Sequence, residues 1–156
     1  MSIPLSVEKQ GHDECMLSTI AALAEMPLGY VRGIALAGSG ACTWGAHMPF
    51  GTYYKGVSFA CHVLDPSGKL NALVDYTKLH PTASEPAVTR LSRKVRKLPA
   101  NGRGTVTLRR GLRAHIAPWA DGLIYDPNLP TAPVDLTTFR RRYNMTVYAI
   151  TYTKEG

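Results

Sequence analysis

The sequence predicts an α+β domain in two layers, with N-terminal helices packed on a C-terminal antiparallel sheet. Three observations predict it. The first half repeats apolar residues at helical spacing between breaks at Pro27, Gly38-Ser39-Gly40 and Asp65-Pro66-Ser67-Gly68. The last third alternates in the strand manner around Ala120-Asp121-Gly122. No repeat, linker or low-complexity tract divides the 156 residues, so one domain over 1–156 is expected, helical over about 13–65 and sheet over about 104–152.

Leu5 to Glu8 reads as a short strand or extended lead-in. A first helix is expected from about Glu14 to Glu25, with Asp13 as N-cap and Met16, Ile20, Leu23 and Ala24 on one face. Pro27 ends it and suits the start of a second helix, Leu28 to Ala37, which Gly38-Ser39-Gly40 stops. Ala41 to Gly51 reads as a loop with Trp44, His47 and Phe50 interspersed. Thr52 to Leu64 reads as a third helix with Tyr53, Val57, Ala60, Cys61 and Leu64 on its apolar face. Between Lys69 and Pro99 the pattern supports one short helix or strand around Leu70 to Tyr76, then a basic run.

Thr105 to Leu108 alternates as a strand. Arg113 to Trp119 and Gly122 to Tyr125 flank a hairpin turn. Asp135 can cap a helix over Leu136 to Tyr143, and Met145 to Tyr152 is the clearest strand.

Hydrophobic content of 45% against 19% charged residues predicts a chain that folds. A net charge of +7 points to an anionic partner. The three cysteines, at 15, 42 and 61, cannot all pair, and Met1 to Ser6 lacks the apolar core of a signal peptide. Reduced thiols in a cytoplasmic compartment are therefore expected, and no apolar run reaches membrane-spanning length.

The chemistry-bearing stretch is Gln10-Gly11-His12-Asp13-Glu14-Cys15, which leads into the apolar run Met16 to Met26. A cysteine at the start of a helix meets the positive end of the helix dipole, a field that favours thiolate. A thiol nucleophile also needs a base, a group to orient that base, and donors for the oxyanion formed on the attacked carbonyl. The unpaired N–H groups of the first helical turn and the Gln10 amide are candidate oxyanion donors. His115 is the candidate base, and Asp126 the candidate orienter.

Register decides that last pairing. A turn centred on Ala120-Asp121 sets His115 opposite Asp126, whereas one centred on Asp121-Gly122 sets it opposite Asn128. Asp126 and Asn128 share strand parity and both are admissible orienters. Pro127, which ends regular pairing, favours Asp126.

Gln10 and Cys15 at a helix start, with His115 and Asp126 on late strands, resemble the papain-like cysteine peptidase fold. The closest likeness is to compact bacterial and phage members similar to bacteriocin leader peptidases. It is carried by Gln10 to Ala22, by Ala114-His115-Ile116-Ala117, and by Asp121 to Asn128, and the chain order of the four residues agrees. The resemblance implies Cys15 as nucleophile, His115 as general base and acid, Asp126 (or Asn128) as orienter and Gln10 as oxyanion donor. It further implies a cysteine-dependent hydrolase acting through a thioester on an amide or isopeptide bond of a protein or peptide, without cofactor. Deamidases and transglutaminases use the same apparatus. The cytoplasm would be the host's if the gene is phage-borne. Met16 stands where such families often carry glycine or tryptophan, and the interval from His115 to Asp126 is short for a peptidase.

Two alternatives belong to other classes. One is a catalytically silent domain of this fold that binds a partner protein. The other is a basic nucleic-acid-binding protein using Arg90, Arg93, Lys94, Arg96 and Lys97, a run continued by Arg103, Arg109, Arg110 and Arg113. The same face suits an acidic protein. It lacks the interleaved aromatics on which single-strand binders stack bases, so nucleic acid is the weaker expectation. Cys42, Cys61 and the five histidines show no paired C-x-x-C or H-x-x-x-H spacing, and no metal site is expected.

Overall fold

The computed structural model describes residues 5–8, 14–45, 48–75, 88–128 and 132–154. Four helices come first: α1 (Cys15–Ala24), α2 (Leu28–Ser39), α3 (Phe50–Leu64) and α4 (Lys69–Val74). Strands β1 (Thr89–Leu91), β2 (Arg103–Arg110), β3 (Arg113–Ala120) and β4 (Leu123–Ile124) follow, then α5 (Leu136–Tyr143) and β5 (Thr146–Thr153). The fold is α+β. Its five strands lie in the order β1-β5-β2-β3-β4, and every neighbouring pair is antiparallel.

Local chemistry sets the element ends. α1 closes on Glu25 in the left-handed conformation, with its N–H on the carbonyls of Ala21 and Ala22. Asp13, the expected N-cap of α1, lies outside the described residues, and Glu14 occupies that position. Pro27 sits at the N-cap of α2, and the Glu8 carboxylate accepts from the Leu28 N–H at 2.6 Å, capping this helix from the lead-in. Asp135 caps α5 by accepting from the Thr138 N–H at 2.8 Å. No single helix among the described residues is long and apolar enough to cross a membrane; α1 and α2 are bent by 117° at their break.

The expectation of two layers needs correction, because the sheet is covered on both faces. Leu17, Ile20, Val31, Ala35, Val57, Ala60 and Cys61 from α1–α3 form one core with Ile116 of β3. On the other face, Val106, Leu108, Ala117, Trp119 and Ile150 pack with Leu136 and Phe139 of α5. Side chains alternate along a strand, so Ile116 and its neighbour Ala117 serve opposite cores. His115 shares the parity of Ala117 and Trp119, which puts it on the α5 face.

Threonines on the helical face carry polar atoms into a buried seam. Thr105 of β2 and Thr151 of β5 each place a hydroxyl 2.7 Å from the Leu73 carbonyl at the end of α4, and the two hydroxyls lie 2.8 Å apart. Replacing either threonine with valine leaves one hydroxyl for Leu73. Replacing both strands a buried carbonyl, so the double variant should lose about 1–3 kcal/mol beyond the sum of the single losses. Denaturant midpoints of the four proteins check this, and strict additivity would count against a shared seam.

Candidate active site

Cys15 is the first residue of α1 and is half-buried. The Glu14 side chain makes no cap to the helix. It is instead held by the Arg32 guanidinium of α2, with Nε on Oε2 and Nη2 on Oε1 at 2.9 Å. This fork fixes the entry to α1 against α2. One turn on, the fully buried Thr19 hydroxyl donates to the Cys15 carbonyl at 2.7 Å and lies 3.5 Å from the Ile116 carbonyl. The start of α1 is therefore tied to β3 beside His115.

The β3–β4 hairpin turns through Asp121 (φ 51°) and Gly122 (φ 86°), and a two-residue turn with both φ positive is type I′. Ala120 pairs Leu123 and Trp119 pairs Ile124. The turn is thus centred on Asp121-Gly122, the register that would set Asn128 opposite His115. The partner is nonetheless Asp126. β4 ends at Ile124, which bridges Val134 on its outer side, and the chain leaves the ladder before Asn128 can pair. Asp126 comes in beneath the imidazole, with Oδ1 3.1 Å from His115 Nε2. The expected residue is in place, and for the expected reason: pairing ends before Asn128, although the turn has the centre that would otherwise have favoured Asn128.

Asn128 supports the carboxylate instead of replacing it. Its backbone N–H donates to Asp126 Oδ1 at 3.0 Å, and its amide donates to the Tyr143 hydroxyl at 2.9 Å. The Tyr143 hydroxyl reaches the same carboxylate at 2.7 Å from Oδ2, and Arg142 Nη1 lies 3.3 Å from that oxygen. Asp126 has no exposed surface. Burial alone would raise its pKa, but the bonds from His115, Tyr143 and the Asn128 N–H win and bring it down to about 2. The Tyr143 hydroxyl, half-buried and facing that carboxylate, has its pKa moved upward.

Tyr143 also stacks on the imidazole, with ring centroids 4.3 Å apart, and Phe139 flanks the same ring at 5.8 Å. With Nε2 on Asp126, Nδ1 is the nitrogen left for Cys15, whose sulfur lies close enough to act on the charge of the imidazole. Burial opposes charge on His115, yet the bond to Asp126 and the nearby Cys15 sulfur raise its pKa to about 9. At neutral pH the imidazole therefore holds its proton beside a buried carboxylate.

No protein-family model, curated protein or solved structure matches this chain.

Of the expected site residues, Cys15, His115 and Asp126 come together, while Gln10, with His12, lies outside the described residues. The basic run does not join them. Arg90 sits on β1, at the edge of the sheet opposite β4, and Arg93, Lys94, Arg96 and Lys97 are exposed on the segment that follows. Arg103 is buried, 4.0 Å from Glu25, and so drops out of any surface continuing that run. Cys61 is sealed in the helical core, where burial pushes its thiol up to about 12, whereas Cys42 is exposed. Among the described residues no group of three or more His, Cys, Asp and Glu could hold a metal ion.

Trp119 is fully buried and Trp44 packs beside Tyr53 at 5.0 Å, whereas Phe50, expected in the loop, opens α3 and is 81% exposed. Sequence reasoning missed Tyr143 and Arg142. The available signal was the stripe Leu136, Phe139, Tyr143 on one face of a capped helix.

Proposed function

We propose that the chain is a cysteine-dependent hydrolase of the papain-like type, acting by acyl transfer at an amide or isopeptide bond. The observation that carries this reading is the imidazole of His115, bonded to a carboxylate with no solvent exposure and close enough to Cys15 for the sulfur to raise its pKa. The element order supports the papain-like assignment: helices first, a cysteine opening the first of them, then an antiparallel sheet bearing His115 and, just beyond it, Asp126.

In this mechanism Cys15 reacts as the thiolate, its proton held on His115; Sγ adds to the carbonyl carbon, and N–H groups of the first turn of α1 donate to the oxyanion. Gln10 supplies a further donor. His115 gives its proton to the departing amine nitrogen as the C–N bond breaks, leaving a thioester. It then takes a proton from water, whose oxygen adds to the thioester carbon. The C–S bond breaks, freeing the acid and restoring Cys15. Asp126 holds the ring in the tautomer and orientation both proton transfers need.

The test is alkylation by iodoacetamide near neutral pH, with labelled cysteines mapped by mass spectrometry. Cys42, exposed and without a basic partner in the described structure, is the internal standard. Cys15 should react about tenfold faster or more, and His115→Ala should remove most of the difference. Equal rates at Cys15 and Cys42 in the native protein would end the hydrolase reading.

A further inference from the structure

The hairpin joining β2 to β3 turns at Gly111-Leu112, with Gly111 at φ 60°. Arg109 and Arg110 precede the turn and Arg113 follows it, all three exposed. Arg110 and Arg113 are direct cross-strand partners. Like charges placed opposite one another weaken a ladder, so an anion seated between them would relieve this one. The next pair on the same face is Leu108 with His115. Two residues of strand separate the pairs, so the arginines stand about 7 Å along the sheet from the imidazole.

An open groove of about 540 Å³ adjoins them, lined by Arg109, Arg110, Asn144, Met145, Thr146 and Tyr148. No carboxylate lines it. The Arg110 guanidinium reaches the Asn144 carbonyl only at 3.5 Å. Among the described residues, Arg109, Arg110 and Arg113 form no ion pair with a carboxylate, unlike Arg32, Arg103 and Arg142. Asn144 directly follows Tyr143, the ring stacked on His115, so groove and candidate active site meet at the end of α5.

We propose that Arg109, Arg110 and Arg113 dock an acidic stretch of the polypeptide whose amide Cys15 attacks. This rests on Cys15 being the nucleophile. Guanidinium groups match carboxylates in a two-bond fork, and the Arg110–Arg113 pair, with Arg109 beside it at the same hairpin end, suits neighbouring Asp or Glu side chains. A nucleic acid fits less well. The aromatic ring in the groove, Tyr148, lies under the Arg109 guanidinium at 5.0 Å, which takes the face a base would stack on.

Two measurements test it. An iodoacetyl-oligoglutamate peptide should alkylate Cys15 at least about tenfold faster than its oligolysine counterpart, and high salt should erase the preference. Arg110→Gln/Arg113→Gln should collapse the ratio of the two rates towards one, whereas Arg93→Gln/Arg96→Gln should preserve it. Equal rates for the two peptides, in a protein whose Cys15 outpaces Cys42 with iodoacetamide, would overturn the docking site and leave the nucleophile standing.

The second measurement does not depend on Cys15 chemistry: fluorescence anisotropy of a labelled oligoglutamate on the native chain and both double variants. Binding lost only in Arg110→Gln/Arg113→Gln supports the proposal. Binding indifferent to that pair, or displaced more readily by oligothymidylate than by unlabelled oligoglutamate, overturns it.

Discussion

Asp126→Ala should be the most damaging single change at the candidate site, destabilising the protein by about 3–5 kcal/mol. The carboxylate has no exposed surface and gathers His115 Nε2, the Tyr143 hydroxyl and the Asn128 N–H, with Arg142 at 3.3 Å. Alanine strands those donors in a buried site. Asp126→Asn keeps the shape and one acceptor oxygen but removes the charge. It should retain the fold while letting the His115 pKa fall from about 9. Asn128→Ala keeps the backbone N–H and loses only an exposed amide bond to Tyr143, so a loss below about 1 kcal/mol is expected.

The pH dependence follows from the same groups. His115 is raised above its ordinary 6.5, so its contribution to stability is complete below that pH and is lost as pH rises through about 9. Asp126 is depressed below its ordinary 3.8, so its contribution is present above that pH and is lost as pH falls through about 2. Asp126→Asn should abolish the acid limb and move the alkaline limb to lower pH. Denaturant unfolding across pH checks both. A larger effect from Asn128→Ala than from Asp126→Asn would transfer the orienting role to Asn128.

Gly104→Val should be comparably severe, at about 3–5 kcal/mol, by a different route. Gly104 lies on β2 between Trp119 of β3 and Tyr152 of β5. The indole N–H of Trp119 crosses over it to the Thr151 carbonyl at 3.0 Å, and the Trp119 and Tyr152 rings stack 5.7 Å apart. A Cβ at Gly104 would fall 1.9 Å from the Thr151 oxygen and 3.0 Å from the indole nitrogen. The strands must part or the indole must leave. Near-UV circular dichroism should lose its tryptophan signal along with the fall in thermal midpoint. A Gly104→Ala protein of unchanged stability would show that β2 and β5 do not approach this closely.

What could be read from the sequence was largely local. Asp135 ahead of Leu136 to Tyr143 marked α5 because the cap is a three-residue interaction. Asp121-Gly122 marked the hairpin because both positions need positive φ. β1 was missed: three residues supply too little periodicity, and Thr89–Leu91 is a strand only because β5 offers an edge. The second covered face of the sheet was missed because alternation marks the apolar residues Val106, Leu108 and Ile150 without saying that α5 packs on them. Thr105 and Thr151 give no apolar signal for the face that the N-terminal helices cover, and the Leu73 carbonyl is what needs them there. Tyr143 escaped for the same reason, since its stacking on His115 depends on which face α5 covers, a choice made by Phe139 and Leu136 packing on Trp119 and Val106.

The spacing of the three site residues also bears on the order of assembly. His115 and Asp126 are 11 positions apart on one hairpin and its trailing loop, whereas the Thr19–Ile116 tie that seats Cys15 closes across 97 positions. Short closures are entropically cheaper and form earlier, so the histidine–carboxylate couple is expected before the thiol arrives. The same asymmetry holds in reverse on heating or in denaturant. Undocking of α1 would remove the nucleophile from an otherwise complete sheet, so thiol reactivity at Cys15 should fade before the strand signal does.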